Sequence, residues 1–74
     1  MNTEHLIHHM QCWLFRNAQT KWNKTPAETA QLFDKYALFK YIEDCYEILH
    51  VSSYLSALND LEEILAANGV DVYA

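Results

Sequence analysis

A compact all-helical domain is the fold this chain predicts, on three observations. Apolar residues recur at three- and four-residue steps along almost its whole length. Gly69 and Pro26 are the single glycine and single proline among 74 residues, and apolar residues make up 51%. Thr25-Pro26-Ala27-Glu28 has the form of a capping box with proline at the first helical position, which satisfies the orphan N–H groups of a new helix. The expectation is one domain spanning residues 1–74: a bundle of four helices at about 3–22, 26–36, 38–50 and 54–68, with a short extended C-terminal tail.

The first helix is expected to start with Thr3 as N-cap. It carries Leu6, Ile7, Met10, Trp13, Leu14 and Ala18 as one stripe and stops at Asn23-Lys24. The second buries Ala30, Leu32 and Phe33. In the third, Leu38, Ile42, Cys45 and Leu49 share a face, flanked by Tyr41, Tyr46 and Ile48, while Lys40, Glu43 and Glu47 lie opposite. The fourth turns Leu55, Leu58, Leu61, Ile64 and Leu65 inward and Asn59, Glu62 and Glu63 outward, and Gly69 ends it as a C′ residue. The tail Val70-Asp71-Val72-Tyr73-Ala74 reads either as a frayed end or as a strand that could add to a partner's sheet edge.

Charge is unevenly distributed. Residues 1–24 hold Arg16, Lys21 and Lys24 against Glu4, a net of +2, while residues 25–74 hold two lysines against nine carboxylates, a net of −7. That surface repels phosphate backbones, which makes nucleic acid an unlikely ligand, and attracts basic proteins. Cys12 and Cys45 form neither a CxxC pair nor a zinc-knuckle spacing, so reduced thiols are expected. The N-terminus lacks the cationic start of a signal peptide, and no apolar run reaches the length of a membrane span. A cytoplasmic protein without membrane attachment is the expectation.

No constellation completes an active or metal site. His5, His9 and Cys12 share one side of the first helix at i, i+4 and i+7, with His8 pointing elsewhere, yet no fourth ligand stands nearby to close a zinc tetrahedron. Glu43, Glu47 and His50 share the same spacing. A di-metal bundle, however, needs Glu-x-x-His motifs on facing helices, and Glu47 to His50 is the single copy. No serine or cysteine has an adjacent base and orienting acid. The chain therefore reads as a non-enzyme with no cofactor and no metal. Helices two and three suggest a helix-turn-helix, but the third offers Glu43, Asp44 and Glu47 where a recognition helix needs Arg, Lys, Asn or Gln.

Ten aromatic residues remain, more than so small a core can bury fully, and tyrosine and tryptophan are enriched at protein interfaces. A domain of this size rarely stabilises itself by more than roughly 3–5 kcal/mol, which favours a partner or an oligomer.

The run Leu32-Phe33-Asp34-Lys35-Tyr36, then Tyr41-Ile42, then Asp44-Cys45-Tyr46-Glu47-Ile48-Leu49-His50 resembles a family of small bacterial proteins catalogued as a domain of unknown function, number 3791. The similarity extends more weakly from about Leu6 to Leu65. Ala37 stands where the family usually has glycine, and Val51-Ser52-Ser53 replaces a Thr-x-Gly-like turn. Members of the family commonly neighbour genes for ADP-ribosyltransferase-like toxins. The resemblance therefore implies an antitoxin-like subunit that neutralises the larger protein of a two-gene cassette. The expected contact face is Tyr46, Glu47 and His50, with Glu43 and Tyr54 beside them. A self-associating helical scaffold with the first-helix stripe as its seam is the alternative, and a DNA-binding autoregulator a more remote one.

Overall fold

The computed structural model describes residues 3–73, and among these residues all regular structure is helical. The long helix α1 (Thr3–Trp22) packs against α2 (Pro26–Lys35), α3 (Leu38–Asp44) and α5 (Tyr54–Ala67), while the single turn α4 (Tyr46–Leu49) bridges α3 and α5. Thr3 is itself helical rather than an N-cap, and the residue before it lies outside the described residues.

Local chemistry accounts for the boundaries. Asn23 adopts a left-handed conformation with φ 53°. Its N–H and that of Lys24 donate to the carbonyls of Thr20 and Gln19, closing α1 in a Schellman pattern for which Asn is tolerated. The expected capping box is present: Glu28 N donates to Thr25 Oγ1 at 3.1 Å, and Thr25 N to Glu28 Oε1 at 2.9 Å. The backbone hydrogen bond from Thr25 and that from its side chain hold the Glu28 carboxyl below its ordinary pKa, outweighing desolvation. Ser53 caps α5 through Ser56 N at 3.1 Å. Gly69, at φ 79°, ends α5 in a second Schellman closure, with Gly69 N on Ala66 O and Val70 N on Leu65 O.

One expected helix, 38–50, is two. Cys45 sits at φ −106°, ψ 13° and ends α3 by donating to Tyr41 O, while its own carbonyl accepts from both Ile48 N and Leu49 N to restart the chain as α4. At this break the core takes Tyr46 rather than Cys45, which stays half-buried. The tyrosine ring removes more apolar area from water than the thiol would. The bundle accordingly has five helical pieces among the described residues instead of four.

The core consists of Met10, Leu14, Ala18 and Trp22 from α1, Phe33 from α2, Leu38 and Ile42, Tyr46 and Leu49, then Ala57, Leu58, Leu61 and Leu65. Phe33 is its aromatic centre, with ring centroids 4.9 Å from Phe39, 5.3 Å from Phe15 and 6.2 Å from Trp22. The α2 face differs from expectation because Phe33 orients the helix and Thr29, four residues earlier, is buried in place of the exposed Ala30. The Thr29 hydroxyl donates to Thr25 O at 2.9 Å, so its burial leaves no polar atom unsatisfied.

Two inward–outward assignments on α5 reverse. The buried set runs Ala57, Leu58, Leu61, Leu65, so Leu55 falls to one side and is 69% exposed. Glu62, expected outward, lies half-buried at the edge of that set. The tail is neither frayed nor extended over its described part. Val72 is 4% exposed and joins the core, and Tyr73 N donates to Asp71 Oδ1 in a tight turn.

Candidate functional site

Most of the sequence-predicted contact residues meet around the α3–α4 break. Because the chain changes direction at Cys45, Glu43, Asp44 and Glu47 are carried along one groove whose other lining residues are Thr3, Ile7, Cys45, Tyr46 and Ile48. Glu43 and Glu47 are exposed. Asp44 Oδ2 faces Lys40 Nζ at 3.6 Å, an exposed i, i+4 pair of the kind that contributes little.

The other predicted members are placed differently. Tyr46 is 9% exposed and belongs to the core, so its ring supports the groove rather than offering a free contact. His50 stacks on that ring with centroids 4.9 Å apart and planes 10° from parallel, and its Nδ1 lies 3.1 Å from Tyr46 O. Tyr54 turns to the opposite partner, meeting Trp13 edge-on at 4.9 Å. The structure thus gathers Glu43, Tyr46 and Glu47 in one groove, attaches His50 through Tyr46, and assigns Tyr54 to the packing of α5 on α1.

Three large exposed aliphatic side chains, Ile48 in the lining of this groove and Val51 and Leu55 after it in sequence, were not singled out by sequence reasoning. Ile48, Val51 and Leu55 are 71%, 76% and 69% exposed. They belong to α4, the turn after it and the first turn of α5, so no single helical periodicity marked them, and Leu55 was expected to face inward with the other leucines of α5.

Elsewhere, the first-helix chemistry is rearranged. Cys12 Sγ lies 3.5 Å from His8 Nε2, so His8, expected to point away, is the histidine that accompanies the exposed thiol. Among the described residues no three His, Cys, Asp or Glu side chains converge on a point where a metal ion could be held. Half of the stripe proposed as a self-association seam is interior: Met10, Leu14 and Ala18 are fully buried within the single chain, while Leu6, Ile7 and Trp13 are partly buried. No described helix is long and apolar enough to cross a membrane.

The strongest electrostatic feature is a latch between the two ends of the fold. Glu62 Oε2 accepts from Trp22 Nε1 at 2.8 Å and from the Tyr73 hydroxyl, and it lies 3.1 Å from Lys21 Nζ. Partial burial alone would raise the Glu62 carboxyl. The hydrogen bonds from Tyr73, Trp22 and Lys21 outweigh that and hold it below its ordinary value. The same carboxylate raises the Lys21 ammonium and the Tyr73 phenol. This latch secures the tail and removes Lys21 from the set of cations free to bind a phosphate.

No curated protein and no solved structure matches the chain. The family described as protein of unknown function (DUF3791) matches it over residues 9–68, a span that includes α2 to α5, the capping box, the α3–α4 break and all but the first turns of α1. The chain belongs to this DUF3791 family.

Proposed function

We propose that this protein is a non-catalytic protein-binding module, an antitoxin-like subunit that neutralises the larger member of a two-gene cassette, an ADP-ribosyltransferase-like protein. The observation that carries the binding part is the groove at the α3–α4 break, where Glu43, Asp44 and Glu47 gather and only Asp44 has an ion-pair partner, Lys40, among the described residues. Ile48 in its lining, and Val51 and Leu55 after it in sequence, are exposed to solvent. A surface of one sign accelerates encounter with a partner of the other and discriminates against wrong partners. Exposed aliphatics beside it provide area that a complex can bury. The neutralising role and the partner's type rest on the family resemblance.

Growth of cells that express the adjacent gene product, with and without this chain, tests the reading. Growth arrest relieved by co-expression supports neutralisation. Arrest that persists with both proteins present at comparable levels rejects it.

A self-associating scaffold is less favoured. Met10, Leu14 and Ala18 of the stripe that would have formed its seam are already fully buried inside one chain.

A further inference from the structure

We propose that the groove at the α3–α4 break, together with Ile48, Val51 and Leu55, receives a cationic amphipathic segment of a partner protein. Lysine or arginine side chains of that segment lie in the groove, and its apolar residues cover the three aliphatics. The inference rests on the protein-binding reading above and specifies the chemistry of the occupant.

The groove has the shape and polarity such a side chain needs. Ile7 and Ile48 give it apolar lining, while Glu43 and Glu47 supply carboxylates. A lysine or arginine lays its methylene stem along apolar surface while its charged head reaches a carboxylate. Neither Glu43 nor Glu47 has an ion-pair partner among the described residues; Lys40 is engaged with Asp44, and Lys21 with Glu62. Among the described residues, two of the groove's three carboxylates, Glu43 and Glu47, are therefore without a compensating cation.

The apolar part adjoins the groove through Ile48, which belongs to both. From it, Val51 and Leu55 follow across the short turn into α5, so three large aliphatics stand exposed within eight residues. Burying them is favourable for any apolar occupant, and charge then selects among occupants. A second copy docked about a two-fold axis would bring two copies of the same acidic patch into one interface, because an isologous contact uses the same patch on both sides. Anionic lipid headgroups and nucleic-acid phosphates meet the same repulsion. A positively charged, amphipathic protein segment satisfies both halves of the surface.

The test uses the full chain and a synthetic helical peptide of leucine and lysine, about 18 residues or five turns long, with leucines on one face. Two control peptides replace every lysine by glutamate or every leucine by serine. Binding is followed by amide chemical shifts.

The expected result is saturable binding of the leucine–lysine peptide with shifts concentrated in residues 43–55, and binding of both controls weaker by about tenfold or more. Glu43→Gln with Glu47→Gln, and separately Ile48→Ser with Leu55→Ser, should each weaken binding by about tenfold, while raising salt should weaken the wild type through screening. Shifts centred on α1 and α2, or equal binding of the serine–lysine peptide, would overturn the proposal. So would a free chain that sediments as a dimer with residues 43–55 in its interface.

The same variants separate this inference from the reading it rests on. A cassette complex unaffected by both double variants contradicts the surface and leaves the function standing. Peptide binding at 43–55 without any cassette complex does the reverse.

Discussion

The indole N–H of Trp22, the last residue of α1, donates to the carboxylate of Glu62 in α5 across 2.8 Å. This bond joins positions 40 residues apart in sequence and brings Lys21 and Tyr73 to the same carboxylate. A depressed carboxyl pKa in the folded state means that the unfolded chain takes up a proton first as pH falls. Glu62 therefore contributes its full stabilisation above the ordinary glutamate value of about 4.5, and that contribution fades as pH drops through the lower folded value. Urea unfolding should show the wild type losing stability over this acid range. Glu62→Gln, which keeps an acceptor for Trp22 but loses the charge, should flatten that part of the pH dependence. Glu62→Ala should cost about 1–2 kcal/mol at neutral pH by stranding the indole N–H.

The buried tail gives a second prediction. Removing residues 72–74 deletes the Val72 side chain from the core and the Tyr73 hydroxyl from the Glu62 latch. Burial of a valine contributes about 1.5 kcal/mol or more, so the truncated chain should unfold at distinctly lower urea concentration. An unchanged midpoint would return the tail to the status of a loose end.

Ala37 has φ 52° and ψ 42° between α2 and α3, a left-handed conformation that costs a residue with a Cβ roughly 1–2 kcal/mol. Glycine at this point removes that strain but adds conformational freedom to the unfolded chain, an opposing effect of about 0.4–1 kcal/mol. Ala37→Gly should thus stabilise the protein by up to about 1.5 kcal/mol, read as a higher melting temperature. Ala37→Val should destabilise it.

Phe33 is fully buried and meets three other rings. Its truncation to alanine should cost about 3–5 kcal/mol, comparable to the entire stability expected of so small a core. Circular dichroism should show Phe33→Ala largely unfolded when alone. A partner that binds only the folded form should restore helicity by mass action.

Much of this architecture was legible in the residues. Thr25, Pro26 and Glu28 announced the start of α2, Gly69 the end of α5, and the step from Met10 to Leu14 to Ala18 the buried face of α1. The break at Cys45 was not legible, since neither proline nor glycine stands there and Tyr41 to Leu49 keeps a helical apolar rhythm. Nor was Glu62 recognisable as a latch, because its partners Trp22 and Tyr73 are far away in sequence and only tertiary packing brings them together. Of the residues expected at a contact face, Glu43 and Glu47, chosen by charge, are exposed in the groove, whereas the rings of Tyr46 and Tyr54 are used for packing, and the aliphatics that do reach solvent were indistinguishable from core residues by type alone.

The central claim is that this chain works as one half of a heteromer. Its most direct test is the native mass of material purified from cells that co-express it, tagged, with the adjacent gene's product. A stable complex of both proteins in fixed stoichiometry, sensitive to the Ile48→Ser/Leu55→Ser pair, is the expected result. Recovery of the chain alone, as a defined homo-oligomer at the same expression levels, would contradict it.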